Sequence, residues 1–419
     1  MCSNLENRKI KVLLGIDEKY SRDKIANCFK FRDNYEVEIF NRENCQNSTE
    51  NYDFYWLEYE DLDFENLVKT KDKILLNSFC IRKGLIRKAQ IAFNLKKYLA
   101  KTNSQLANYL PETYVFELDY IDYLDEALND CFEVEKALEK NLTKETNEPT
   151  KKFILKSSMT NKGAEILIFD TKKQLEDYFM KRINQSEDET LDLREWVIQA
   201  YLDKPLKLQV YQNRKFHLRV YVVAVGNLKV YVYEDILALF SLEEYKNQEK
   251  LDDFNNNFDL KCHITNTCVQ LDDLNLDKNS EDYMKKEKDC VKRFWNLKFD
   301  EKDEVNNQTI KNSIFSQIKI CVGEIFNCLH HEPTMFQPLE NAFELYGFDF
   351  LIDENLNCFF LEANAFPDFK QTGDYLNDLI DCLFYQTIAI ASDEFFNIPK
   401  ACQPNKMCLV YDKKIDRKF

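Results

Sequence analysis

The sequence predicts a mixed α/β (α+β) protein, in which strands and helices both contribute to the core. Near the N-terminus, two alternating apolar stretches, 10–15 and 35–40, flank an amphipathic segment at 22–31. Two longer β-rich runs, 216–225 and 228–233, follow each other in the second half of the chain. Alternation with a period of two is typical of strands, whereas apolar residues three and four apart indicate helices.

The other elements follow the same two periods. A final helix should begin near Tyr375, because apolar residues recur there at helical spacing. Residues 272–311 are strongly charged, which favours a helical or mobile insertion. The remaining strand-like runs are 52–57, 153–156, 165–169 and 196–201, and the stripe of the final helix is Leu376, Leu379, Ile380, Leu383 and Phe384.

A β-hairpin is predicted between residues 347 and 364, and it places oxygen ligands among apolar residues. If Asp353 pairs with Cys358, the same register sets Asp349 opposite Glu362, and Asn364 shares the face of Glu362. Two carboxylates and an amide oxygen suit Mg²⁺ better than imidazole or thiolate ligands would. The alternative is an ordinary hairpin with one solvated face.

A short polar loop, 157–163, joins two strands and follows Lys156. Backbone N–H groups of such a loop, together with a lysine at the strand end, can bind phosphate oxygens. An ordinary turn explains the same residues. Likewise, the run that begins at Gln199 follows a strand and can present backbone groups to an adenine, or can be a plain linker.

Composition limits the classes of function. A net charge of −16 at pH 7 disfavours direct nucleic-acid binding, which relies on cationic surface. The first residues lack a signal-peptide pattern, and no apolar run is long enough to span a membrane. Fourteen cysteines without a CxxC pair favour a reduced thiol state. We therefore expect a soluble, cytoplasmic monomer.

Basic residues are concentrated between 69 and 101, where Asp72 is the only acid. This stretch is either the solvated face of a helix or a docking surface for an acidic partner. The segment 116–139 is conversely rich in acids.

Several of these segments, taken in order, resemble the tubulin–tyrosine ligase-like family of ATP-grasp ligases. The resemblance spans about residues 80–370. The segments are Lys156-Ser157-Ser158 with Lys162-Gly163, Val197 to Tyr201, Lys215-Phe216 with Arg219, His263-Ile264-Thr265-Asn266, and Gly347-Phe348-Asp349 with Glu362-Ala363-Asn364.

The resemblance implies an ATP-grasp fold, with ATP and Mg²⁺ between two antiparallel-rich sheets. It assigns catalysis to Lys156, Arg219 and Glu362. The metal ligands would be Asp349, Glu362 and Asn364. The residues that would bind ATP are Lys156, Ser157, Lys162, Gly163, Gln199, Tyr201, Lys215, Arg219, Thr265 and Asn266.

The same resemblance suggests a division of the chain. A small N-terminal α/β domain would cover residues 1–75, and a central ATP-grasp domain would cover 76–202. The C-terminal ATP-grasp domain, with the metal site and the charged insertion, would cover 203–395. Residues 396–419 would form a tail.

One stretch departs from the family pattern, because Glu234 and Leu239 stand where the tyrosine ligases carry arginines that suit a substrate carboxylate. Two function classes therefore stay open. The first is a ligase that uses ATP to join an amino acid to an acidic protein tail, tubulin being one candidate. The second is an ATP-binding interaction module without tyrosine ligase activity, similar to the ligase-type domain of a budding-yeast P-body protein and associated with P-bodies or mRNA decapping.

Overall fold

The computed structural model describes residues 8–41, 52–67, 74–143, 150–159, 165–184, 194–246, 260–265, 280–300, 303–370, 376–398 and 405–413. Within these ranges, no helix combines the length and the apolar character that a membrane span requires.

The N-terminal unit is a four-stranded parallel sheet in the order β2-β1-β3-β4. Helix α1 packs on one face and buries Ile25 and Phe29 against the strands. The expected boundary at residue 75 falls inside the last strand, because Leu75 and Leu76 pair with β3. The elements are β1 (Ile10–Gly15), α1 (Lys19–Lys30), β2 (Tyr35–Ile39), β3 (Phe54–Leu57), α2 (Phe64–Leu67) and β4 (Leu75–Leu76).

The central unit is an antiparallel sheet in the order β5-β8-β6-β7. One face packs against helices α5, α6 and α7 around the buried Trp196. Its elements are α3 (Lys83–Ile86), α4 (Lys88–Lys101), β5 (Thr113–Glu117), α5 (Leu124–Asn129), α6 (Phe132–Thr143), β6 (Phe153–Ser157), β7 (Ile166–Phe169), α7 (Lys172–Ile183) and β8 (Glu195–Ala200).

The C-terminal unit is a seven-stranded sheet built around β9, which is buried along almost its whole length. One edge of β9 pairs with β13, and the other edge pairs with β11 and then with β10. Its elements are β9 (Arg214–Val225), β10 (Lys229–Tyr233), β11 (Leu237–Glu244), α8 (Leu260–His263), α9 (Glu281–Cys290), β12 (Val291–Arg293), α10 (Glu304–His330), β13 (Phe343–Ile352), β14 (Cys358–Ala365), α11 (Asn377–Ser392) and β15 (Met407–Asp412).

Two expectations from the sequence need correction here. The charged segment 272–311 is not one insertion, since β12 pairs with β11 and the first residues of α10 belong to a 27-residue helix with a buried apolar face. The segment 396–419 is not only a tail, because β15 pairs with β10. Apolar residues of β15 such as Tyr411 pack against the core, which explains why this short run forms a strand.

Candidate functional site

A cavity lies between the central sheet and the C-terminal sheet. Strands β6 and β8 supply one wall, and β9, β13 and β14 supply the other. The predicted site residues that line it are Lys156, Ser157, Gln199, Tyr201, Lys215, Thr265, Asp349 and Glu362.

The hairpin of β13 and β14 pairs Asp349 with Glu362, as the sequence predicts. The predicted register near the turn, in which Asp353 pairs with Cys358, is wrong by one residue, because Cys358 pairs with Ile352. A bulge between Asp349 and Phe350 absorbs the difference. Because Asp349 and Glu362 are directly opposite each other, their carboxylates lie on the same face of the hairpin.

Asn364 lies near Glu362, and its amide nitrogen is 3.4 Å from a Glu362 carboxylate oxygen. It stands opposite Gly347, where a Cβ atom would come within 2.9 Å of Pro367 and 3.1 Å of the Arg219 side chain. A side chain at position 347 would therefore displace Pro367 and crowd Arg219. The predicted ligands Asp349, Glu362 and Asn364 thus lie on neighbouring strand positions.

Arg219 forms a two-pronged ion pair with Asp349 and is not among the residues that line the cavity. Its Nε donates to Oδ1 at 2.6 Å, and its Nη2 donates to Oδ2 at 3.2 Å. Both side chains are about nine-tenths buried. The predicted metal ligand and the predicted catalytic arginine therefore neutralise each other in this structure.

His217 lies beside this pair, with Nε2 3.7 Å from the Asp349 carboxylate and Nδ1 2.6 Å from the Thr265 hydroxyl. Burial lowers the pKa of His217 to about 4, so the imidazole is neutral at pH 7. A neutral imidazole can accept or donate a hydrogen bond but supplies no positive charge.

Glu362 is held ionised by two lysines. Burial alone would raise its pKa, but the ammonium groups of Lys88 and Lys156 outweigh burial and lower the pKa to about 2. Lys88 forms an ion pair with Glu362 at 3.3 Å and lines the cavity. Sequence reasoning missed Lys88 as a site residue because it stands within the basic stretch 69–101.

Two buried lysines have neutral hydrogen-bond partners. Lys156 Nζ donates to the Gln199 side-chain oxygen at 2.9 Å, and Lys215 Nζ lies 3.1 Å from the Tyr201 hydroxyl. Burial lowers the pKa of Lys156 to about 8 and that of Lys215 to about 7. Among the described residues, neither amine forms an ion pair. Such amines favour an anion that arrives from outside.

Of the residues expected to frame an adenine, Tyr201 already forms hydrogen bonds within the protein through its backbone N–H and its hydroxyl. The Tyr201 N–H donates to the Lys152 carbonyl at 2.9 Å, and its hydroxyl lies 2.7 Å from His263 Nδ1. Gln199 and Leu202 line the cavity, together with the apolar Leu351. Lys162, Gly163 and Asn266 lie outside the described residues.

These residues fit the ligands that the sequence suggests. Ser157 Oγ and His217 Nε2 are buried and have no hydrogen-bond partner within the described ranges. Phosphate oxygens would satisfy them, together with Lys156 and Lys215. No three His, Cys, Asp or Glu side chains of the described residues gather to hold a metal. A magnesium site would therefore combine Asp349 and Glu362 with the Asn364 amide oxygen, a donor set that suits this ion.

Comparisons with known proteins agree with this arrangement. The sequence model of the tubulin-tyrosine ligase family matches residues 68–404. The chain belongs to this family. A probable tubulin–tyrosine ligase of Schizosaccharomyces pombe is 33% identical over 411 residues, which cover 93% of each chain.

Two further relatives come from budding yeasts. The probable tubulin–tyrosine ligase PBY1 of Saccharomyces cerevisiae is 36% identical over 374 residues, which cover 82% of this chain but only 46% of that protein. The crystal structure of the C-terminal domain of K. lactis Pby1 superposes with a TM-score of 0.67 and 28% identity, and covers 96% of this chain and 99% of that domain. K. lactis Pby1 is an ATP-grasp enzyme that interacts with the mRNA decapping enzyme Dcp2. The ATP-grasp fold is thus confirmed for this member of the family.

Several cations of the basic stretch 69–101 are used within the protein. Arg82 pairs with Glu344, Lys88 with Glu362, and Lys97 with Glu332. The described part of this stretch therefore offers fewer charges to an acidic partner than the sequence indicates.

Proposed function

We propose that this chain binds Mg·ATP in the cleft between the central and C-terminal sheets, and that it acts as an ATP-binding module without efficient tyrosine ligase activity. The observation that carries the proposal is the pair of buried lysine amines, Lys156 and Lys215, which have neutral partners on the cavity wall. Asp349, Glu362 and Asn364 would hold Mg²⁺, which would neutralise phosphate charge. Lys88 and Ser157 lie where they can add contacts to the phosphates.

The case against tyrosine ligation comes from one row of residues across the C-terminal sheet. Strand pairing sets Glu362, Asp349, Arg219, Leu237 and Arg293 directly opposite one another in turn. Opposite residues share a face of the sheet. On this face, the residue next to Arg219 on the neighbouring strand β11 is therefore the apolar Leu237.

Leu239 stands in the neighbouring row, opposite His217. Both Leu237 and Leu239 belong to a buried apolar cluster that includes Tyr221 and Phe369. Arg219 is paired with Asp349, and Arg293, at the far end of this row, is paired with Asp378, so neither arginine of the row is spare for a substrate carboxylate. Burying an unpaired carboxylate there would be strongly unfavourable.

Glu234 does not contribute to this effect. Its carboxylate lies 3.0 Å from Cys408 Sγ, and it is absent from the cavity wall. Glu234 stands where the tyrosine ligases carry an arginine, but its position gives its charge no contact with the cavity. Leu239 does not line the cavity either, but it stands opposite His217, which does, so the lost arginine at Leu239 remains the relevant difference.

We further propose a cytoplasmic protein partner of the mRNA-decapping machinery, with association to P-bodies. The support is the similarity along almost the whole chain to the C-terminal domain of K. lactis Pby1, a protein that interacts with Dcp2. Because this chain spans about half the length of S. cerevisiae PBY1, the activities of that whole protein do not transfer as a matter of course.

A second candidate function is ligation of a different amino acid to an acidic protein tail, tubulin included. The gathering of Lys156, Asp349 and Glu362 at one cleft favours it. In this reaction a carboxylate takes the terminal phosphoryl group of ATP and ADP leaves. An amine then forms the amide bond while phosphate departs and the amine loses its proton. The chain would bind and orient the reactants, and no protein nucleophile is needed.

Calorimetry with ATP and Mg²⁺ tests the main proposal. We expect the wild-type chain and Glu332→Gln to bind, and Glu362→Gln to bind more weakly. Glu332 pairs with Lys97 outside the cleft, so it is a matched control. Absence of binding by the wild type would overturn the site.

Incorporation of labelled amino acids into acidic tails separates the two candidates. We expect no tyrosine incorporation into a detyrosinated tubulin tail. Incorporation at the rate of an authentic tyrosine ligase would contradict the main proposal. Incorporation of another amino acid, lost in Glu362→Gln, would establish the second candidate.

A further inference from the structure

Thr113 lines a second cavity, which adjoins the nucleotide cleft. This second cavity has a volume of about 350 Å³, and most of its walls are apolar side chains, among them Leu95 and Phe360. Lys156 and Gln199 line both cavities, whereas Thr113 lines only the second one. Thr113 therefore stands behind the nucleotide cleft and not on its wall.

Strand pairing brings Thr113 next to Gln199. The two residues lie directly opposite each other on β5 and β8, so their side chains share one face of the central sheet. Gln199 is also opposite Ile154 on β6, and Lys156 follows two residues later on the same face. Such diagonal neighbours are separated by roughly 7–8 Å, which long side chains can span. The sheet therefore sets Thr113, Gln199 and Lys156 side by side.

Hydrogen bonds connect these three side chains in a fixed direction. The Thr113 hydroxyl donates to the Pro111 carbonyl at 3.0 Å, and a hydroxyl has only one proton to donate. Thr113 Oγ1 therefore accepts from Gln199, whose Nε2 lies 3.0 Å away. At the other end of the amide, Gln199 Oε1 accepts from Lys156 Nζ at 2.9 Å.

Both ends of this chain of hydrogen bonds require the same orientation of the Gln199 amide. A carbonyl oxygen cannot donate, so Pro111 makes Thr113 an acceptor, and only the NH₂ group of Gln199 can satisfy that acceptor. The amide oxygen then faces Lys156, whose ammonium group can only donate. A flipped amide would set donor against donor at Lys156 and oxygen against oxygen at Thr113, and both hydrogen bonds would be lost.

Packing does not select this orientation of the amide. The oxygen and the NH₂ group of a side-chain amide have similar shapes, so hydrogen bonds decide which way the amide points. The second cavity also leaves open space beside Gln199, and its mainly apolar walls offer few other partners. The Thr113 hydroxyl is therefore the group that selects one orientation from the side opposite the nucleotide cleft.

We propose that Thr113 is a positioning residue of the nucleotide site. Its hydroxyl orients the Gln199 amide, and the amide oxygen in turn holds Lys156 Nζ in place at the cleft. This inference rests on the proposed binding of ATP phosphates by Lys156. Without the Thr113 hydroxyl, the amide is free to turn and Lys156 loses its fixed partner. Lys156 then has to be ordered when phosphate binds, and that ordering lowers the affinity.

Calorimetry of the full chain with ATP and Mg²⁺ tests this role. Thr113→Val removes the hydroxyl and nearly keeps the shape, and it should bind ATP about fivefold more weakly, which is the effect of one neutral hydrogen bond. Thr113→Ser retains the hydroxyl and should bind ATP like the wild type. In Gln199→Leu, which has no amide to orient, adding Thr113→Val should cause no further loss of affinity.

NMR of the full chain labelled with ¹⁵N-glutamine tests the orientation of the amide without nucleotide. The Gln199 side-chain signal is identified by its loss in Gln199→Leu. We expect this signal to shift in Thr113→Val and to stay close to its wild-type position in Thr113→Ser.

Thr387→Val is the matched control, because the buried Thr387 hydroxyl donates to the Leu383 carbonyl in α11, outside both cavities. It should change neither ATP binding nor the Gln199 signal. An unshifted signal in Thr113→Val, or an equal loss of affinity in Thr113→Val and Thr113→Ser, would overturn this inference alone. A wild-type chain that binds no ATP would overturn the proposed function and this inference with it.

Discussion

The Arg219 guanidinium and the Asp349 carboxylate meet across neighbouring strands in a buried, two-pronged ion pair. This pair holds a predicted metal ligand in place before any metal is bound. Binding of Mg²⁺ to Asp349 would free the positive charge of Arg219 for phosphate oxygens. In the proposed site, the pair would therefore couple the metal ligand Asp349 to the charge of Arg219.

Asp349→Asn should destabilise the protein strongly, because it leaves the buried Arg219 charge unpaired. The expected loss in the free energy of unfolding is about 3–5 kcal/mol. Asp381→Asn is a control, since Asp381 pairs with Lys24 at the surface, where such pairs contribute about 1 kcal/mol or less. Urea denaturation measures both variants. Equal losses would show that the Arg219 pair is no more important than a surface pair.

ATP affinity should fall as the pH rises from 7 to 9. Burial lowers the pKa of Lys215 to about 7 and that of Lys156 to about 8, so both amines lose protons in this range. Phosphate favours their charged forms, and ATP binding should therefore take up protons. Calorimetry at pH 8 in two buffers of different ionisation enthalpy measures this uptake.

The lowered pKa of Lys215 also makes the stability of the ligand-free protein depend on pH. The folded state binds fewer protons than the unfolded state between the folded pKa of Lys215, about 7, and its ordinary value of 10.5. The contribution of this group to stability consequently rises with pH across that window. Lys215→Met should reduce both effects, while Lys311→Met, at a buried lysine outside the cleft, should leave the proton uptake unchanged. Unaltered uptake in Lys215→Met would contradict this assignment.

Local patterns in the sequence were sufficient for most strands and for the pairing of Asp349 with Glu362. Alternation fixes which residues share a face, and that property survives small errors in register. The register shift after Asp349 was not predictable, because the residues between it and the turn are apolar on both strands and show no alternation that would fix the register.

Contacts between distant parts of the chain could also not be predicted from the sequence. β15 pairs with β10, about 175 residues earlier, and the short apolar run that begins at Met407 does not indicate which strand it pairs with. In the sequence, Lys88 is one of many cations of a basic helix, and only the folded structure shows that it pairs with Glu362. Long-range ion pairs of this kind require the three-dimensional arrangement.

Glu234→Gln should leave ATP binding and amino-acid incorporation unchanged. The carboxylate contacts Cys408 and not the cavity, so its charge does not reach a bound substrate. Calorimetry and incorporation of labelled tyrosine check this expectation. Tyrosine incorporation that appears only in the variant would show that Glu234 does face the substrate.

At position 165, the glycine variant should be more stable than the alanine variant, which is the reverse of the usual order. Glu165 precedes β7 with a φ of 63°, and its carboxylate pairs with Arg182 at 2.8 Å. The Arg182 guanidinium in turn lies 5.4 Å from the Trp196 ring. Both substitutions remove the ion pair, but only alanine retains the strain of a left-handed residue, which costs about 1–2 kcal/mol.

We therefore expect Glu165→Gly to be more stable than Glu165→Ala by about 1 kcal/mol in urea denaturation, since glycine adopts this conformation without a steric penalty. Exposed Glu176 in α7 is the matched control. There, glycine should be less stable than alanine by about 1 kcal/mol, because it lowers helix propensity. The same order at both positions would mean that the Glu165 backbone carries no strain.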